Sequence, residues 1–118
     1  MQRDDLVDMG EMYDFAVGIA QRADGLERAT FDADEDLRLA MVQLLGWLGE
    51  AARRESAAFE EARPDIPWSF VVGMRNILAH DYLHVDHDIV FKTATEEVPE
   101  LGDLLALAEV HPQLSGSP

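Results

Sequence analysis

Two long stretches of this chain repeat apolar residues at helical spacing, and no alternating, strand-like pattern replaces them anywhere. Leu6, Met9, Tyr13, Ala16 and Ala20 follow a 3,4,3,4 order that lays one stripe along a helix over residues 3–24. Met12, Phe15 and Ile19 draw a second apolar line beside it, so this helix is fit to pack on its own bundle and on another subunit. Leu37, Met41, Leu44, Leu48 and Ala51 recur at heptad-like intervals, widened by Val42 and Leu45. The pattern predicts an all-α, up-and-down bundle of four to five helices that pairs as a two-fold dimer. A single domain over residues 1–110 is expected, followed by a flexible tail over 111–118.

Glycine, proline and aspartate punctuate the helices. Gly25 suits a C-cap of the first. The second is expected to begin near Asp32 or Asp34, Asp32 and Glu35 having capping-box spacing, and to run to a break at Arg63-Pro64-Asp65-Ile66-Pro67. Gly46 and Gly49, inside that helix, each cost about 1 kcal/mol relative to Ala, so they mark close helix approach. Glu50 is expected to be exposed or to pair with Arg53 or Arg54. A third helix is predicted from Pro67 to about Asp81. Asp86 then caps the last helix, with Val85 placed for a staple against Val90. Ile89, Val90, Thr93, Ala94, Leu101, Leu104, Leu105 and Ala108 supply its apolar positions, and Pro99 kinks or splits it near Val98. Asp4, Asp5 and Asp8 read as a solvated cluster favourable to the first helix dipole.

Composition narrows the function classes. Cysteine is absent, which excludes disulfides and thiolate metal sites and fits a reducing cytoplasm. No run of 18 apolar residues suggests a membrane span, and the acidic N-terminus is unlike a signal peptide. The formal charge is −15 and Lys92 is the sole lysine. Read alone, that charge opposes broad nucleic-acid binding and favours a basic protein partner or plain solubility. Any action on RNA must rest on local positive charge from a few arginines.

The chemistry concentrates in Met74-Arg75-Asn76-Ile77-Leu78-Ala79-His80-Asp81-Tyr82, at the end of the apolar run Phe70, Val71, Val72, Met74. Charged groups and histidine are expensive to bury unless paired, so the cluster is either a satisfied network or a site. On an ideal α-helix His80 is rotated by roughly 140° from Arg75, so the two converge only if the helix ends near His80 or two chains pair. Tyr82 returns to the Arg75 face if the helix persists. The pair Arg75/His80 suits phosphodiester cleavage without a metal. Histidine takes a proton from a ribose 2′-OH or gives one to the leaving oxygen, and arginine forks onto phosphate oxygens. Asn76 is placed to orient the histidine or hold the phosphate. The structural alternative is an ion-paired arginine and a histidine capping a helix end.

The spacing Arg75-Asn76 to His80-Asp81-Tyr82 resembles the signature of HepT-like HEPN ribonuclease toxins. Gly49-Glu50-Ala51-Ala52, Pro64-Asp65-Ile66-Pro67-Trp68, Val85-Asp86 to Val90-Phe91 and Glu97-Val98-Pro99-Glu100-Leu101 resemble the same family in the same order. The resemblance implies a HEPN-like bundle, two Arg75/His80 sets brought to a shared dimer groove, and cytoplasmic RNA cleavage without cofactor, DNA or membrane. It also implies a two-gene toxin–antitoxin pair of type VII-like kind. The partner is then an MntA-like minimal nucleotidyltransferase, and Tyr82 is the tyrosine to which it transfers AMP. The alternative is an inactive module of this fold whose acidic surface docks a basic partner. A third reading takes His80, His84 and His87, with Asp81 and Asp88, as metal ligands. The turn expected before Asp86 breaks the spacing that two imidazoles need, and no metal is predicted.

Overall fold

A computed structural model describes residues 3–79 and 84–110. Among them there is no strand. The helices are α1 (Arg3–Ala23), α2 (Arg28–Ala33), α3 (Glu35–Arg53), α4 (Ala57–Ala62), α5 (Trp68–Gly73), α6 (His87–Lys92) and α7 (Val98–Val110). A 3₁₀ segment, Met74–Ala79, continues α5, and a π-helical turn, Thr93–Glu97, joins α6 to α7. The predicted residues His80, Asp81 and Tyr82, and the expected tail over 111–118, lie outside the described residues.

Asp5 bonds Ser56, Asp8 and Glu11 meet Arg54, and Phe15 meets Trp47, so α1 and α3 run antiparallel. α7 packs along α1, and Arg63, just before α5, reaches the Leu104 carbonyl of α7. The chain is an up-and-down, all-α bundle, as its periodicity predicts.

In α1 the fully buried stripe is Met9, Met12, Ala16, Ile19 and Ala23, which runs between the two expected lines. Leu6, expected on the stripe, is 41% exposed, because Asp5 and Met9 take the covered face at that level and Leu6 is turned away from it. The chain leaves α1 through Gly25 at φ +66°, the left-handed conformation that glycine tolerates without strain.

Two boundaries differ from the sequence reading, and one is decided between the alternatives it offered. α2, which the periodicity does not announce, is fixed by a tertiary aromatic contact: Phe31 packs on Phe91 and edge-on to His87. Asp34, not Asp32, caps α3, its side chain accepting from Leu37 N at 3.0 Å. Asp32 instead pairs with Arg28. The expected continuous helix to Arg63 breaks at Arg54–Ser56, where Ser56 Oγ caps α4 by accepting from Phe59 N at 3.1 Å.

Asp5 causes that break. Expected to be solvated, it is 3% exposed, and its carboxylate accepts from Ser56 N at 2.8 Å and Ser56 Oγ at 2.7 Å. Glu55 is buried against it. Burial first, then the hydrogen bond with Asp5 and the charges of Asp5, Asp8 and Glu60, push the Glu55 carboxyl up to about 9. Neither Glu55 oxygen meets a donor among the described residues, and a protonated Glu55 facing Asp5 relieves both carboxyls.

At the other end of the bundle Asp86 caps α6 as predicted, accepting from Asp88 N and Ile89 N. Ile89, expected inside, is 57% exposed, while Val90, Thr93 and Ala94 carry the core face. The π turn is the predicted break near Pro99. Proline has no N–H for the Thr95 carbonyl and crowds it, and Thr95 Oγ1 bends the turn further by donating to Phe91 O at 2.8 Å.

Gly49 makes the closest helix approach. A Cβ built there lies 2.9 Å from Val71 O and 3.0 Å from Met74 C, and closer still to Arg75 N. All three are backbone atoms, so no side chain can move aside. The predicted third helix changes character at this point. α5 ends at Gly73, the Met74 N–H bonds back to Val71 O, and the chain tightens into the 3₁₀ segment.

Two outcomes follow for stability. Gly49→Ala overpacks this contact and lowers stability by about 1–3 kcal/mol, read as a fall in Tm; an unchanged Tm contradicts the contact. Glu55 has an ordinary value of 4.5 and a folded value of about 9. Between these the native state holds a proton that the unfolded chain releases, so stability falls as pH rises through the window. Glu55→Gln flattens that fall and melts above the wild type at about pH 8; a lower Tm there contradicts the assignment.

Candidate active site

The Gly49 contact seats the Arg75 backbone on α3, one residue from Glu50. From there the Arg75 side chain, 44% exposed, runs outward and brings Nη1 to 3.7 Å from Glu50 Oε2. Arg53, one turn further along α3, grips the same carboxylate. Its Nε lies 3.1 and 3.2 Å from the two Glu50 oxygens, and Nη2 lies 2.5 Å from Oε1. Glu50 therefore stands between two guanidinia. Hydrogen bonding from Arg53 first, then the charges of Arg53, Arg75 and Arg54, hold its carboxyl below the usual range against partial desolvation.

Arg75 and Asn76 line one open groove of about 620 Å³ together with Arg53, Glu60, Trp68 and Ser69. Its wall is firm. Trp68 Nε1 donates to Arg63 O at 2.9 Å, and the ring packs edge-on against Phe59. Arg63 is itself buried, with Nε and Nη2 on the Asp65 carboxylate at 2.9 and 2.6 Å, which holds that carboxyl below its ordinary value. The Pro64–Trp68 stretch is thus a cross-linked turn that fixes where α5 begins.

Of the predicted site residues, Arg75 and Asn76 reach one groove, while His80 and Tyr82 lie outside the described residues. The α-helical angle used to relate Arg75 to His80 does not apply over Met74–Ala79, because a 3₁₀ turn advances by about 120° per residue. The sequence offers Arg53 only as a partner for Glu50, and residue spacing does not place it in the groove. Its signal was the i,i+3 spacing of Glu50 and Arg53 beside Gly49.

The other arginines are matched differently. Arg28 meets Asp32 at 2.8 Å and Asp88 at 2.7 Å, and lies over Phe31 and Phe91. Arg54 meets Asp8 at 3.1 Å and Glu11 at 2.5 Å. Carboxylates outnumber the guanidinium in both places; at Glu50 two guanidinia share one carboxylate. Of the residues in the metal reading, His84 is exposed and His87 packs edge-on to Phe31. Among the described residues no three histidine, aspartate or glutamate side chains gather as a metal site would require.

A groove walled by arginines on an all-α bundle defines a candidate anion site. The family model described as ribonuclease HepT-like matches residues 12–107, and the chain belongs to that family. It is 38% identical over 65 residues to a protein of Methanocaldococcus jannaschii named as an RNase, a match covering 55% of this chain and 60% of that relative. It is 34% identical over 83 residues to one of Caldanaerobacter subterraneus named as an RNase, covering 70% and 74%. To a protein of Thermococcus cleftensis named as a ribonuclease HepT it is 30% identical over 95 residues, covering 75% and 86%. The chain thus spans three-fifths of the length of the Methanocaldococcus relative. No solved structure matches it significantly. Among the described residues no helix is long and apolar enough to cross a membrane.

Proposed function

We propose that this chain is a metal-independent endoribonuclease, the toxin of a two-gene toxin–antitoxin pair, with Arg75 and His80 as catalytic residues. The observation that carries the reading is Arg75, a guanidinium at the rim of an open groove, its backbone fixed and its head held by one loose ion pair. Membership of the ribonuclease HepT-like family, and relatives named as RNases, support it.

In this mechanism His80 takes the proton of a ribose 2′-OH, and O2′ attacks the adjacent phosphorus. Arg75 stabilises the charge on the phosphoryl oxygens, Asn76 supports the phosphate or the imidazole, and the departing 5′ oxygen takes up the proton that the His80 imidazolium gives back. The P–O5′ bond breaks, leaving a 2′,3′-cyclic phosphate and a 5′-hydroxyl. DNA, without a 2′-OH, is spared. The working form is a homodimer that brings two such sets together in the cytoplasm. Val7 on α1 and Leu39 and Trp47 on α3, all exposed, offer apolar surface for the second copy. Tyr82 is the switch: a nucleotidyltransferase antitoxin attaches AMP to its phenol, putting bulk and negative charge where RNA phosphate must sit.

Purified protein is expected to run as a dimer by light scattering and to cut RNA in EDTA, with activity falling steeply as salt rises. Arg75→Ala and His80→Ala each lose at least about 100-fold. Unaltered cleavage by either folded variant removes that residue from the mechanism, and a monomer at micromolar concentration sinks the shared groove. Absence of cleavage by the wild type, with intact binding of a basic partner protein, favours the inactive module.

Co-expression with the neighbouring nucleotidyltransferase should add mass in multiples of one AMP unit. Tyr82→Phe abolishes the addition while RNA cleavage persists. An addition that survives Tyr82→Phe means that Tyr82 is not the switch.

A further inference from the structure

We infer that Arg53 and Arg75 form a two-guanidinium clamp for the phosphodiester backbone of RNA, with Glu50 as its resident counter-ion. This rests on the ribonuclease reading and adds to it a residue that contacts RNA without entering the chemical step.

The geometry of Arg53 carries the inference. Both Nε and Nη2, one edge of the guanidinium fork, face the Glu50 oxygens, the bidentate arrangement in which arginine binds a carboxylate or a phosphate. Arg75 faces the same carboxylate from the 3₁₀ segment, at the longer distance of 3.7 Å. A carboxylate and a phosphate present the same pair of anionic oxygens, so the guanidinium edges that Glu50 engages are ones that phosphate groups can take. One carboxylate cannot neutralise two guanidinia, and the excess charge faces an open groove. Arg53 is 47% and Arg75 44% exposed, so neither must be uncovered before a strand arrives. Glu60 also lines the groove, so attraction comes from the Arg53–Arg75 wall and not from the groove as a whole. Arg75 serves the scissile phosphate and Arg53 a neighbouring one. In a chain of formal charge −15, a place where two guanidinia offset Glu50 and Glu60 is where a polyanion meets least repulsion.

Fluorescence anisotropy with a 2′-O-methyl RNA oligomer, which cannot be cleaved through its 2′ oxygen, tests the clamp across a salt series. Arg53→Ala should weaken binding about tenfold or more and flatten the slope of log K against log salt by about 0.7, the loss of one single-strand phosphate contact. Arg22→Ala removes the same charge from an exposed residue that bonds its own helix at Gly18 O, and should match the wild type. Glu50→Gln should bind more tightly, since both guanidinia lose their counter-charge. An Arg53→Ala protein that behaves like Arg22→Ala overturns the clamp, and weaker binding by Glu50→Gln overturns the counter-ion role. A folded wild type that does not bind the oligomer at any salt concentration overturns the ribonuclease reading itself, and the clamp with it.

Discussion

The contact between Gly49 and the backbone of Val71, Met74 and Arg75 is the constraint on which the rest of the structure depends. It brings main chain against main chain, at a distance that any β-carbon forbids. That distance sets how closely α5 lies on α3, and the 3₁₀ segment begins at the same contact. It also fixes Arg75 one residue from Glu50. A side chain as long as arginine has many rotamers, and anchoring its backbone confines them to one groove. The carboxylate of Glu50 confines the head further without consuming its charge.

Electrostatics in this chain works by local pairing against a strongly acidic background. Arg28, Arg54 and Arg63 serve as fasteners: the first ties α2 to α6, the second α3 to α1, the third the Pro64–Trp68 turn to α7. Each is held by carboxylates or carbonyls in a structural role. The buried Asp5–Glu55 pair is the reverse arrangement, two acids at one joint, tolerated because Ser56 donates twice to Asp5 and burial keeps Glu55 protonated. The Glu50 site differs from both in having more positive charge than its carboxylate can balance.

Much of the architecture was legible in the sequence, because period and punctuation are local signals. The rods α1 and α3, the glycine exit at Gly25, the Asp86 cap, the break near Pro99 and the close packing at Gly49 all follow from residue spacing. What escaped is tertiary. α2 depends on Phe31 meeting Phe91 from 60 residues away, and the break at Ser56 depends on Asp5 reaching back across the bundle. Periodicity shows that a helix carries an apolar stripe but not which of its residues the neighbours cover, which is why Leu6 and Ile89 emerge into solvent beside buried Asp5 and Val90. In the site, Arg75 and Asn76 stood out by residue type against an apolar run. Arg53 did not, since an arginine three residues from a glutamate on a helix is commonplace until a second guanidinium is seen on the same carboxylate.

On the proposed reading, this acidic bundle meets RNA through one cationic wall, made by Arg53 and Arg75 and positioned by Gly49. Guanidinium Nε–Hε resonances of the arginines, followed by NMR during titration with a 2′-O-methyl RNA oligomer, test it most directly. Large shifts are expected at Arg53 and Arg75, and little change at Arg22, Arg28, Arg54 and Arg63. Shifts concentrated at the latter four, with Arg53 and Arg75 unmoved, would contradict it.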